Sequence, residues 1–189
     1  GRGWGAIGIG NRAIEDRRGR DAASLGMQDD ALAAYLSEVR TRRVWGYSKS
    51  DDRWGGAITL ATSTTGDAPG SADDDFDTGS RSIVDFLTTE LDESLAALPQ
   101  NQINRMTQAA NRILKARLLI NANVYITEDR FSECGTLCPE IVDGKYGKYT
   151  IEPDYTINNS YNNETSREIV WSFACDPAQL KPNWFRNST

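Results

Sequence analysis

Residues 80–99 read Ser80-Arg81-Ser82-Ile83-Val84-Asp85-Phe86-Leu87-Thr88-Thr89-Glu90-Leu91-Asp92-Glu93-Ser94-Leu95-Ala96-Ala97-Leu98-Pro99. Ile83, Phe86, Leu87, Leu91, Leu95 and Leu98 recur every three or four residues, which sets them on one stripe of an α-helix. Ser80 is a suitable N-cap, since its hydroxyl accepts from an N–H of the first turn, and Pro99 ends the run. The stretch therefore predicts a helix over 80–98 with one face to bury. A lone amphipathic helix cannot bury that face, so its partners must lie on either side in the chain.

Three further segments carry the same period. Over 29–45, Leu32, Leu36, Val39 and Arg43 share a side with Tyr35 beside them; Asp29 or Asp30 can cap the start and Gly46 offers a stop. From Thr107 to Ile126, the residues Ala110, Ile113, Leu114, Arg117, Leu118, Asn121 and Val124 mark the side expected to be buried. A fourth helix from about Glu128 includes Phe131, Cys134, Leu137, Ile141 and Val142, and Asp143-Gly144 closes it. Pro139 sits inside it, where a proline loses one bond and costs about 3 kcal/mol.

The connections differ in kind. Ser48 to Arg53 is polar, Trp54-Gly55-Gly56 signals a turn, and Ala57 to Ala61 suits one short strand. Residues 62–80 form a long surface loop of Thr, Ser, Gly and Asp. Residues 145–165 are rich in Tyr and Asn, and Glu168-Ile169-Val170-Trp171-Ser172-Phe173 reads as a buried strand. The fold class expected is mainly α, with adjacent antiparallel helices, long irregular loops and a few short strands.

Composition narrows the function. The 189 residues contain no histidine, which removes the Ser-His-Asp triad, the Cys-His dyad and the HExxH zinc site. A net charge of -6 argues against nucleic acid, which calls for a basic face. No apolar run approaches the roughly 20 residues that span a bilayer. The chain opens at Gly1-Arg2-Gly3-Trp4 without Met or an apolar leader, as expected of a mature form or a piece of something longer.

Several stretches, in order, resemble the SusD/RagB family of outer-membrane nutrient-binding lipoproteins of Bacteroidetes-type bacteria. Trp4 to Ile14 is similar to an early helix of that family. Ser37-Glu38-Val39-Arg40-Thr41-Arg42-Arg43-Val44-Trp45-Gly46-Tyr47 resembles its "aEvRflRAwyy" helix, and Trp54-Gly55-Gly56-Ala57-Ile58-Thr59-Leu60 its "fGgvPlvt" exit. Leu91-x3-Leu95-x2-Leu98-Pro99, Arg117 ahead of Asn123-Val124-Tyr125, and Ile141-Val142-x-Gly144 follow in sequence. The most specific elements are Tyr149-x-Ile151-x-Pro153-Asp154-Tyr155 and Asn163-Glu164-x-Ser166-x-Glu168-Ile169-Val170-Trp171.

The resemblance implies TPR-like helical hairpins whose irregular loops make a ligand surface. It also implies a single SusD-like region over 1–189 that is a fragment of a protein about twice as long, with the loop 62–80 as an insertion. Family members are lipid-anchored outside the cell, the lipid-bearing cysteine lying beyond this chain. They act as lids on a TonB-dependent (SusC-like) barrel, bind oligosaccharides or peptides, and are not enzymes. A peptide-binding RagB-like member and a helical protein-interaction scaffold are the alternatives. A glycosidase built on two carboxylates ranks last, since no Asp or Glu has the apolar surroundings that raise a pKa for the acid role.

Sugar recognition needs aromatic faces for pyranose rings, with amides and carboxylates for hydroxyls. On that chemistry the candidate ligand residues are Trp4, Trp54, Tyr161, Asn162, Trp184 and Phe185. Trp45 and Trp171 are assigned to the core, while Tyr149 and Tyr155 resemble structural tyrosines of the family. Asp73, Asp75 and Asp77 offer hard oxygen ligands for calcium, but without the EF-hand glycine and glutamate; a solvated loop is the competing reading. No other cofactor is expected. Cys134 and Cys138, one helical turn apart, are assigned as small core fillers, with no second pair or histidine to complete a zinc site. Cys175 is free to pair with either if its strand lies near.

Overall fold

The computed structural model of the chain describes the backbone of residues 2–17, 20–54 and 76–173, with side chains over 7–17, 20–50, 52 and 83–173. Five helices account for most of it: α1 (Arg2–Glu15), α2 (Asp29–Trp54), α3 (Phe76–Ser94), α4 (Gln108–Ile126) and α5 (Phe131–Val142). Each packs chiefly on the next in sequence, so the chain folds as a row of helical hairpins. Among the described residues there is no strand: Glu168–Phe173, expected as one, starts in a bend at Glu168 and forms no ladder. The predicted strand at Ala57–Ala61 lies outside the described residues.

The apolar core runs along the row. Ile7 of α1, Val44 and Tyr47 of α2, Ile83, Leu87 and Leu91 of α3 and Leu118 of α4 form one cluster. Ala109 and Leu119 of α4 meet Cys134 and Leu137 of α5 and Tyr146 in a second. The predicted stripe of α3 is thus buried where expected, but the helix runs from Phe76 to Ser94 rather than over 80–98. Ser80 lies inside it, so residues 76–80 are helix and not loop. Past Ser94, Leu95 and Leu98 continue in a turn, with Leu98 still buried.

Gly46 does not end α2, which continues eight residues to Trp54. Its role is spatial: a Cβ there would sit 3.1 Å from Cγ1 of Ile7, so the missing side chain lets α1 approach. The buried side of α2 is also offset from the expected one. Ser37, Glu38, Thr41, Val44, Tyr47 and Ser50 are buried, whereas Leu32, Leu36 and Val39 are half-exposed. On α4, Thr107 caps the start by accepting from the Ala110 N–H at 3.2 Å. Its buried residues are Ala109, Ala110, Asn111, Arg112, Leu118, Leu119, Ala122 and Ile126, while Arg117 and Val124, expected inside, are exposed.

Polar side chains hold the first four helices in register. The Glu90 carboxylate accepts from Arg40 at 2.6 Å and from Arg43 of α2. Arg43 also donates to Asn11 Oδ1 of α1 at 3.0 Å, and Arg40 reaches Glu93. Burial pushes the Glu90 carboxyl up, but the Arg40 bond and the Arg43 charge and bond outweigh it and hold it below its ordinary value. At the α3–α4 contact, fully buried Asn111 donates to Thr41 Oγ1, Leu91 O and Ser94 Oγ, each at 3.1 Å. Its carbonyl accepts from Arg112, which also binds Asp92 at 2.8 Å. Glu38 of α2 pairs with Arg105 ahead of α4. Arg40 and Arg43 of the resembling helix are thus interhelical ties, and Glu38 ties that helix to the segment ahead of α4.

α5 tolerates Pro139 because both it and Gly135, whose carbonyl loses its donor, face solvent. Only Cys134 of the two cysteines is buried; Cys138 is exposed, contrary to the core assignment. Phe131 and Val142 at the ends of α5 are exposed as well.

Candidate functional site

The irregular segment after α5 is built from local chemistry. Gly144 and Gly147 take φ of +79° and +131°, turning the chain out of the helix. Asn101 Oδ1 accepts from the Lys148 N–H at 2.9 Å and stands where a Cβ on Gly147 would come within 3.0 Å. Asp154 then caps a 3-10 turn over Tyr155–Asn159 by accepting from the N–H and the hydroxyl of Thr156 at 2.9 and 2.7 Å.

Four side chains close the base of the loop. Glu168 Oε2 accepts from the Glu152 N–H at 3.1 Å and from Asn158 Nδ2 at 2.9 Å. Ser166 Oγ donates to Asn158 Oδ1 at 2.6 Å, and Glu152 Oε1 accepts from the Arg167 N–H at 2.6 Å. The Asn158 bond, then the Glu152 N–H, hold the Glu168 carboxyl below its ordinary value. The two family-like motifs on either side of the loop thereby meet at one polar staple. Beyond it the chain returns to the bundle: the Ser172 N–H donates to Ile103 O at 2.8 Å. Trp171 packs edge-on against Trp45 with ring centres 5.6 Å apart, which agrees with the core reading of both.

Tyr161, fully exposed, and Asn162, also exposed, stand next to each other in this loop. Of the two tyrosines assigned a structural role, Tyr149 packs on the α4–α5 cluster, but Tyr155 is 79% exposed. Tyr155 joins Tyr161 on the loop; the signal for it was the Asp154 cap, which fixes a 3-10 turn with no core to bury its first residue. The stapled loop thus offers aromatic rings and the amides of Asn159, Asn162 and Asn163 to solvent. Rings of this kind stack on apolar sugar faces, and amides both donate to and accept from hydroxyls.

The other predicted positions are not brought to it. Trp4 lies in α1, Trp54 ends α2 and Asp77 is in the first turn of α3, but their side chains lie outside the described residues. Trp184, Phe185, Asp73, Asp75 and Cys175 lie outside them altogether, as do residues 62–75 of the expected insertion. Among the described residues no cluster of three or more metal-ligating carboxylates or thiols occurs.

Two hollows escaped the sequence reading, because their walls come from helices far apart in the chain. One, between α2 and α4, is lined by Trp45, Lys49, Arg117, Asn121 and Tyr125 and holds about 30 Å³, room for a water. The other, between α4 and α5, is an open cleft of about 320 Å³. Four of its polar walls are already paired: Glu140 accepts from Lys145 at 2.6 Å and Tyr146 at 2.5 Å, and Arg112 and Lys115 bind Asp92.

No family model matches the chain, and no curated protein matches it. Among solved structures, a SusD-like protein from Bacteroides fragilis NCTC 9343 aligns with a TM-score of 0.65 and 19% sequence identity. The alignment covers 87% of this chain and 30% of that one, so the chain spans less than a third of that protein's length. The fold of the chain is therefore the helical fold of a SusD-like protein, over the part of it that these helices represent.

Proposed function

We propose that the chain is a helical portion of a SusD-like surface protein that captures nutrient oligomers, with the stapled loop at Tyr155–Asn163 presenting ligand-facing groups. The observation that carries the reading is the SusD-like fold over 87% of the chain. The loop chemistry supports it, since two exposed tyrosines and three amides suit a glycan more than a charged peptide. In this reading the protein is held at the outer face of the outer membrane by a lipid outside this chain. It covers a TonB-dependent, SusC-like barrel through its helical side. Among the described residues no helix is long and apolar enough to cross a membrane.

The reading assigns binding and no catalysis. Every described carboxyl with a displaced pKa lies below its ordinary value, Asp21, Glu90, Asp92, Glu140, Asp154 and Glu168 alike. A glycosidase acid requires the opposite displacement. Calorimetric titration of the chain against neutral oligosaccharides, with a peptide mixture in parallel, tests the proposal. Saturable glycan binding that weakens about tenfold in Tyr161→Ala, with melting unchanged, is expected; one stacked aromatic contributes about 1 kcal/mol or more. Peptide binding would move the protein to the RagB-like alternative. Binding to neither, with hydrolysis of either, would overturn the proposal. Copurification of a large outer-membrane barrel separates the lid from a free-standing scaffold.

A further inference from the structure

Cys134 and Cys138 lie one turn apart on α5 with their sulfurs 3.8 Å from each other. That separation is far from the roughly 2.05 Å of a disulfide, and the helix fixes both Cβ positions. It equals the bite of a metal chelate: two thiolates bonded to a tetrahedral ion at about 2.3 Å stand about 3.8 Å apart. The two thiols share a hydrogen bond at that distance, whose proton an ion between them would replace. Cys134 is buried against Leu137 and Leu119, which holds its sulfur in place, while Cys138 is open to solvent. Between them Gly135 leaves the approach clear, with nothing within 4 Å of where its Cβ would be.

We propose that this pair is a two-thiolate site for a soft, closed-shell cation, with monovalent copper as the biological class. The choice of ion follows from what the site lacks. No third metal-ligating carboxylate or thiol clusters here among the described residues, so hard ions and four-ligand structural zinc are poorly served. A soft ion of low coordination number takes the two sulfurs at this bent angle and completes its shell with one ligand from solution, which the exposed side of Cys138 admits. Neither cysteine takes part in the staple or in the loop it closes.

The test uses the full chain with Cys175→Ser, kept reduced and anaerobic, and Cu⁺ delivered from a chromophoric Cu⁺ chelator. One equivalent of Cu⁺ is expected to transfer to the protein, with a thiolate-to-metal charge-transfer band in the ultraviolet. Cys138→Ser is expected to weaken uptake at least about 100-fold, the upper end of what a supporting residue alone costs. Because Cys138 is exposed, its helix content stays that of the parent. Cys134→Ala should reproduce the loss. Undiminished uptake in either variant, or a parent that shows no charge-transfer band, would overturn the site.

Discussion

Replacing Glu90 by Gln tests whether the helical row is held by its charges or by its apolar stripe alone. The Glu90 side chain is 9% exposed and accepts from Arg40 and Arg43, whose side chains are 26% and 13% exposed. The amide keeps the shape but removes the charge and turns an NH₂ toward two guanidinium groups. Breaking a buried ion pair costs about 3–5 kcal/mol. Arg40 retains Glu93 and partial contact with water, which places Glu90→Gln at the lower end, about 3 kcal/mol. For a chain of this size that lowers the melting temperature by about 6–12 °C. Thermal unfolding of parent and variant followed by circular dichroism measures it. Its pH dependence has a fixed sign. The folded pKa of Glu90 is depressed, so its contribution is present above the unfolded value near 4.5 and is lost as pH falls through the folded value. The gap between parent and variant should therefore close in acid. A gap under about 2 °C at neutral pH, or one that persists unchanged well below pH 4.5, would refute the argument.

Opposite signs are expected at two helical glycines. Gly135→Ala, with open space around it, should stabilise by up to about 1 kcal/mol through helix propensity. Gly46→Ala should destabilise by about 1 kcal/mol, because crowding of Ile7 at 3.1 Å exceeds the same propensity gain; urea unfolding compares the two. Asn111→Ala removes a donor shared by three buried acceptors and two bonds of Arg112, while Leu91 O keeps Arg112 at 2.7 Å and the Thr41 and Ser94 hydroxyls keep each other at 3.2 Å; about 2 kcal/mol should be lost in the same assay. Glu168→Ala should leave global melting nearly unchanged while limited proteolysis between Glu152 and Ser166 becomes several-fold faster, since the loop loses its common acceptor.

The apolar period located α3, α4 and α5 because Leu87, Leu91, Leu118 and Leu137 carry the core contacts themselves. It misplaced the inward side of α2 because that side is polar. Glu38 and Thr41 are buried through partners far along the chain, Arg105 and Asn111, which no local pattern registers. Gly46 was read as a stop for a related reason: glycine marks both a helix end and a close approach, and only Ile7, 39 positions earlier, tells them apart. In the candidate site, Tyr161 and Asn162 were legible as an aromatic and an amide with no regular element to claim them. Tyr155 was not, because it lies within a family-like motif whose purpose turned out to be the turn at Asp154 and the staple at Glu168.

The staple has a consequence for how such a chain diversifies. Closure of the loop rests on Glu152, Asn158, Ser166 and Glu168, and the side-chain bonds of Ser160 and Thr165 stay within the loop. Tyr155 and Tyr161 project outward and add nothing to the core. The segment is in effect an exchangeable cassette: its outward residues are open to replacement by drift or by design, one recognition surface for another, while the bundle beneath continues to fold as before.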